Sequence, residues 1–229
     1  MSFIPNTNLF LIGSCINALD NRFYSNEQRF EQTLMTLDSV NKADPKSIIV
    51  LADASITPLT DQQIDVLKNR SSIMMDLSGE ASIRTMSKVG AKSIAEGFLL
   101  FTSLSILKQQ PWFKDVKRVF KVSARSWLEP EFDLSAYDNM FGKYVFKKRI
   151  PTWMAPGTGP DHLLITRMFS LCPSLVDNYL QVIDKNMPLL NYMDAEHAHF
   201  ANIPKEYLVE FDNIHCSGFL AGNGTVEKY

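Results

Sequence analysis

Three observations predict an α/β fold with a mostly parallel central sheet flanked by helices. Residues 8–12 and 47–52 are short apolar runs, and residues 25–41 between them carry apolar side chains at helical spacing. That order is a β–α–β unit, whose natural solution is a parallel sheet with a right-handed crossover. A third run at 116–122 is rich in β-branched and aromatic residues and follows a long apolar segment over 90–110. All three runs end in small or polar residues, and open α/β sheets bind their ligands just past the carboxyl ends of strands.

Taken in order, the first strand ends in Gly13-Ser14-Cys15. Small residues there serve either a tight turn or the close approach of a ligand to the backbone. Ser25 is placed to cap the first helix, and Phe30, Leu34, Leu37 and Val40 give it one apolar face. The second strand ends at Asp53, in position either to bind a ribose hydroxyl or base edge or to hold a turn. Thr60 with Gln63 three residues on marks the start of a short helix. Residues 72–77 read as a third strand and 78–84 as a polar loop. The 90–110 helix is apolar over most of its circumference, so it is expected to be buried. Near its start, Lys92 and Glu96 are four apart and share a face. Lys92 there is either half of a surface ion pair or a cation offered to an anionic ligand.

The 116–122 strand carries Lys121 and leads into Ser123 and Arg125, two cations at a buried strand end. They call for a solvated edge, internal carboxylates or an anionic ligand. Glu129, Glu131 and Asp133 alternate and would share one side of an extended segment, as a divalent metal or a solvated edge would use them. Residues 144–146 form another short strand, followed by a solvated basic run at 147–149. Residues 152–160 are Gly/Pro-rich and mark a loop or lid. Residues 162–171 fit a strand or a helix start; 174–184 form an amphipathic helix. Asp194 is a candidate cap for a last helix carrying Glu196 and His197 in its first turn.

The chain has 229 residues, 45% hydrophobic and 21% charged, with a formal net charge of −2. It reads as one domain over 1–229, with enough length to bury a core unaided. The charge argues against nucleic acid or anionic membrane as partners. Three scattered cysteines, Cys15, Cys172 and Cys216, argue against a disulfide scaffold and point to a reducing, cytoplasmic setting. There is no secretory signal, and the longest apolar run falls short of the roughly 20 residues of a transmembrane segment. Asn223-Gly224-Thr225 fits a glycosylation sequon but reads as a turn. No Walker loop, Gly-x-Ser-x-Gly or Gly-x-Gly-x-x-Gly occurs, which argues against NAD. His197 and His199 diverge on a helix, which argues against a zinc site, and no metal ligand is assigned.

Four stretches together resemble nucleotide-sugar glycosyltransferases of GT-A-like, Rossmann-like fold. They are Gly90-Ala91-Lys92-Ser93-Ile94-Ala95-Glu96, Phe120-Lys121-Val122-Ser123-Ala124-Arg125-Ser126-Trp127-Leu128, Asp194-Ala195-Glu196-His197 and His215-Cys216-Ser217-Gly218. Members of bacterial surface-polysaccharide and viral type carry a Lys-Ile-Ser-Gly-Arg-Tyr strand end where many relatives have an Asp-x-Asp metal motif. This chain departs from that variant with Ala124 and Ser126. The resemblance implies a Leloir-type transfer, in polysaccharide biosynthesis, from a nucleotide-sugar donor to a glycan or other hydroxyl acceptor. It implies Asp53, Lys92, Lys121, Ser123 and Arg125 for the donor, which Gly13 and Ser14 at the first strand end would also meet, Glu196 as catalytic base and His197 to orient the acceptor. Mn2+ or Mg2+ is a possible cofactor, and without one Lys121 and Arg125 would meet the charge of the leaving diphosphate. Two other readings are a degenerate nucleotide- or glycan-binding module of the same fold and a nucleotidyltransferase-like enzyme.

Overall fold

The computed structural model describes residues 6–19, 23–89, 91–220 and 225–229. Gly90 of the Lys92 stretch and Asn223 of the sequon lie outside them. The elements run β1 (Thr7–Ser14), α1 (Asn26–Ala43), β2 (Ile48–Asp53), α2 (Asp61–Lys68), β3 (Ile73–Asp76), α3 (Ala81–Lys88), α4 (Lys92–Leu107) and β4 (Val116–Ser123). There follow β5 (Ser126–Leu128), β6 (Tyr144–Lys147), β7 (Ile150–Pro151), β8 (His162–Leu163), β9 (Met168–Leu171) and α5 (Val176–Asn186). The chain closes with α6 (Ala195–Asn202), β10 (Leu208–Phe211), β11 (Cys216–Phe219) and β12 (Val226–Lys228).

Seven of these strands form the central sheet, in the order β10-β6-β9-β4-β1-β2-β3. All neighbours are parallel except β9, which is antiparallel to both β4 and β6. The mixed, mostly parallel sheet flanked by helices is the predicted class. A side sheet, β12-β11-β5, is antiparallel. Period two divides the core. Leu9, Leu11, Val50 and Val119 face α4 and α5 on one side, while Phe10, Ile12, Leu51, Phe120 and Val122 face α1 and α2 on the other. Phe10 and Phe120 sit opposite each other on β1 and β4 and stack at 4.7 Å, a pair worth about 1 kcal/mol beyond its burial.

The helix starts follow the sequence signals. Ser25 with Gln28 and Thr60 with Gln63 each form a capping box, and Asp194 accepts from the His197 N–H. Three expectations need correction. Residues 78–84 are not all loop: α3 begins at Ala81 and buries Ile83 against the core. Helix α4 is not buried all round; Ala95, Leu99, Leu100, Ser103, Leu104 and Leu107 face inward, while Phe101 and Ile106 are exposed. Glu129, Glu131 and Asp133 do not lie on an extended strand, since the chain turns at 130–131 and Asp133 caps the turn at Ser135. Among the described residues, no helix is long and apolar enough to cross a membrane.

Candidate active site

A cavity of about 400 Å³ opens at the carboxyl ends of β1, β2 and β4. Its walls include Gly13, Ser14 and Cys15 from β1 and the turn after it, Arg29 from α1, Lys88 from α3, Lys92 and Glu96 from α4, and Ser123 and Arg125 at the end of β4. Gly13 lets Leu99 of α4 come close to the strand end: a Cβ there would stand 2.9 Å from Leu99 Cδ2, so that side chain would have to shift.

Arg125 occupies a two-residue turn between β4 and β5. The backbone around it is pinned on three sides. The Ser123 N–H donates to the Arg167 carbonyl (2.8 Å), Ala124 N–H to the Gly13 carbonyl (3.0 Å), and Phe219 N–H to the Arg125 carbonyl (2.9 Å). The guanidinium Nη1 is buried with no hydrogen-bond partner. Burial, then the like charges of Arg167 and Arg29, lower its pKa to about 10, so it stays a cation at neutral pH. A buried, charged donor without an acceptor is costly unless a ligand supplies one. The described wall also carries the side chains of Arg29, Lys88, Lys92 and Glu96.

That carboxylate is already committed. Lys121 lies on the α4 side of β4, as period two from Val119 requires, and its ammonium is 2.6 Å from Glu96 Oε1. The same ammonium donates to the Thr166 carbonyl (2.7 Å) and to Ser123 Oγ (3.1 Å). Its three donors are thus spent inside the protein. Burial opposes the ionisation of Glu96, but Lys121 with Arg167 and Arg125 outweighs it and holds the carboxyl below its ordinary value. Thr166 continues the chain of contacts, because its hydroxyl donates to Glu196 Oε1 at 2.8 Å. Burial pushes the half-buried Glu196 carboxyl up, against that hydrogen bond, and the charges of Glu96 and Asp194 add to the rise.

The structure therefore brings Gly13, Ser14, Lys92, Ser123 and Arg125 together on the cavity wall. Asp53 stands one layer behind: it accepts from the Ser14 hydroxyl (2.5 Å), the Ile16 N–H (3.3 Å) and the Ser55 N–H (2.9 Å). Lys121 stands behind Glu96, and Glu196 one link further along. His197 does not reach the cavity; it is 1% exposed, with Nδ1 2.5 Å from Asp194 Oδ1 and Nε2 2.6 Å from Thr152 Oγ1. Cys15 lines the cavity, but burial and then Asp53 push its thiol up to about 11, so it is no nucleophile at neutral pH. Arg29, Lys88 and Thr166 were not read from the sequence, since nothing in their local spacing distinguishes them.

Among the described residues, the donor set at this edge does not suit a resident divalent cation. Ser123, Ala124 and Arg125 stand at the strand end, the Asp53 oxygens accept protein hydrogen bonds, and Glu96 is held by Lys121. Among the described residues, no three His, Cys, Asp or Glu side chains group as a metal site would need.

No protein-family model matches the chain, and no curated protein matches its sequence. Solved structures do match its fold. Core-mannan synthase A from Aspergillus fumigatus, solved in an Mn/GDP form, superposes with a TM-score of 0.50 at 10% identity over 90% of this chain and 73% of that one. The apo structure of the bifunctional glycosyltransferase WbbM gives 0.52 at 10% identity, over 91% of this chain and 39% of the longer one. At such identities the likeness is one of fold, and the fold is the GT-A-like glycosyltransferase fold.

Proposed function

We propose that this chain transfers a sugar from a nucleoside-diphosphate donor to a hydroxyl of a glycan or similar acceptor. The observation that carries this reading is Arg125: a buried guanidinium nitrogen without an acceptor, on the wall of a cavity at the carboxyl ends of the strands. A diphosphate supplies the missing acceptors, and guanidinium suits phosphate by its fork of donors. The GT-A-like fold supports the choice of a sugar nucleotide among diphosphates.

In this reading the acceptor oxygen attacks the anomeric carbon as its proton passes to Glu196. The bond from that carbon to the diphosphate oxygen breaks, and its electron pair leaves on the diphosphate. Arg125 and Lys92 meet the growing charge, aided by Arg29 and Lys88, where relatives with an Asp-x-Asp motif would hold a metal. Lys121 acts indirectly, by keeping Glu96 ionised beside the cavity and Thr166 in place beside Glu196. The variant strand-end motif is read as this exchange of metal for fixed cations.

A thermal-shift panel of UDP-, GDP-, CMP- and dTDP-sugars tests the reading. At least one donor is expected to raise the melting temperature. Arg125→Ala is expected to weaken binding of the matching nucleoside diphosphate by tenfold or more while binding of the free nucleoside changes little. Equal losses would make the arginine structural, and no shift with any nucleotide would sink the reading. A second reading, a module that binds without turnover, draws on the absence of Glu196 from the cavity wall. Donor binding with neither hydrolysis nor transfer would select it.

A further inference from the structure

Asp53, expected to meet the ligand, stands behind Ser14, and the way it holds Ser14 decides what that hydroxyl can offer. Strands β1 and β2 run parallel, with Ser14 beside Asp53 in register. Period two puts both on the sheet face of Phe10, Ile12 and Leu51, the face that α1 covers. From α1, Arg29 and Thr33 join the cavity wall. Ser14 is 6% exposed and lines the same cavity.

The Asp53 carboxylate is buried and accepts three hydrogen bonds. Two come from backbone N–H groups, which can only donate: Ile16 on Oδ2 and Ser55 on Oδ1. The third comes from the Ser14 hydroxyl, 2.5 Å from Oδ2. Both carboxylate oxygens are therefore acceptors, and the Ser14 proton is committed to Asp53. A hydroxyl has one proton and two lone pairs, so Ser14 has only lone pairs left for the cavity. Turning the proton round would strip a buried carboxylate of a donor, which is costly. The turn after β1 is tied to the same strand end, since the Asn17 N–H donates to Ser55 Oγ (2.9 Å) and the Ile56 N–H to the Asn17 carbonyl (2.8 Å).

An oxygen that only accepts is matched to a hydroxyl or an N–H. It is opposed to a phosphate, whose ionised oxygens also only accept. The neighbouring wall agrees with a neutral occupant. The turns after β1 and β2 contribute Ala18, Leu19, Ala54 and Ile56, with no charge among them, while the charged groups come from α1, α3, α4 and the β4–β5 turn. We infer that Ser14, fixed by Asp53 as an acceptor, is a specificity-determining residue for the donor. It takes a hydrogen bond from a ribose hydroxyl or a base N–H of the nucleoside and leaves the phosphates to the Arg125 end of the cavity. Asp53 is its positioning residue and does not touch the ligand. The inference rests on the reading of the cavity as a nucleoside-diphosphate site.

Calorimetric titration of UDP, GDP and inorganic pyrophosphate into the full chain tests it. Ser14→Ala is expected to weaken the nucleotide that binds by about fivefold, the worth of one neutral hydrogen bond, and to leave pyrophosphate within twofold of the parent. Two analogues of that nucleotide, one 2′,3′-dideoxy and one methylated at the ring N–H, separate the two sources of the donated hydrogen bond. One of them should bind the parent about fivefold more weakly than the unmodified nucleotide, yet lose less than twofold in Ser14→Ala, where its partner is already gone. Asp53→Asn sets an amide N–H against a backbone N–H whichever way it turns, and should weaken the nucleotide while sparing pyrophosphate. Ser14→Ala removes a single oxygen, so it is expected to melt near the parent, and its titrations stand even where Asp53→Asn does not fold. Equal nucleotide binding by the parent and Ser14→Ala overturns the role of Ser14 and leaves the donor site standing. So does an equal loss of pyrophosphate, or discrimination against both analogues that survives in Ser14→Ala. No binding of either nucleotide by the folded parent overturns this inference together with the donor reading.

Discussion

Lys121 is 2% exposed yet ionic, and its ammonium is matched by one carboxylate, one carbonyl and one hydroxyl. An ammonium so placed needs all of its partners, because a buried charge left unmatched costs several kcal/mol. Its carboxylate and carbonyl partners lie 25 and 45 residues away in the chain, which is why the sequence showed two unexplained cations but not their different fates. Lys121 is satisfied internally; Arg125, four residues on, keeps an unmet donor. The two carboxylates diverge, with Glu96 held below its ordinary value by Lys121 and Glu196 raised above it by burial. Opposed shifts of this kind mark separate acid–base roles. For Glu96 the folded value lies below the unfolded one, so its stabilisation is present at neutral pH and fades as pH falls through the folded value. For Glu196 as base, the acid limb of kcat should lie above the ordinary glutamate range, and Glu196→Gln should abolish transfer while sparing donor binding. The Thr166 hydroxyl favours the carboxylate form, so Thr166→Val should move that limb to still higher pH with little change in donor KM. A pH–rate profile of the two proteins checks this, and an unmoved limb would remove Glu196 from the role.

At the scale of elements, the strands and the capped helices were legible because their signals are local. Capping boxes span four residues, and buried strands are continuous apolar runs. Helix α3 was missed because its sequence has neither: no side chain caps it, and it buries Ile83 alone. Residues 162–171 stayed ambiguous because a short apolar run fits helix or strand; β9 became a strand by filling the gap between β4 and β6. Helix α6 shows how one element divides its duties. Glu196 turns toward Thr166, His197 toward the Trp153 loop, and His199 inward. The His199 Nδ1–H donates to the Ala195 carbonyl at 2.7 Å, which leaves Nε2 to accept from the Tyr179 hydroxyl at 2.9 Å. The imidazole is therefore neutral, and burial lowers its pKa to about 4 from 6.5. Its folded value lies below the unfolded one, so the stability it contributes is complete above about pH 6.5 and is lost as pH falls toward 4. A shift of that size amounts to about 3 kcal/mol. His199→Leu should lose the Tyr179 hydrogen bond at pH 7 but flatten the decline of stability between pH 6.5 and 4. Denaturant unfolding at several pH values reads both effects, and an unchanged slope would place the acid sensitivity elsewhere.

The cavity belongs to the whole molecule, since its walls come from β1, α1, α3, α4 and the β4–β5 turn. The sequence placed the strand ends, because topology alone brings them to one edge of the sheet. It could not place Arg29 and Lys88, which reach that edge from helices on opposite faces. With them the cavity gains a cationic character that a formal net charge of −2 conceals. That character makes a prediction about metal dependence. A site built around a resident cation loses its nucleotide when the cation is removed. Fixed guanidinium and ammonium groups do not depend on one, but they are weakened by salt, which screens each of them over a Debye length of about 10 Å at 0.1 M. Binding of UDP or GDP, whichever the thermal-shift panel selects, should therefore change less than twofold with EDTA. It should weaken at least tenfold between 50 and 500 mM NaCl, and Arg125→Ala should reduce that salt dependence. Calorimetric titration measures all three. Loss of binding in EDTA, restored by Mn2+, would show that the leaving diphosphate is neutralised by a metal and that Arg125 serves another purpose.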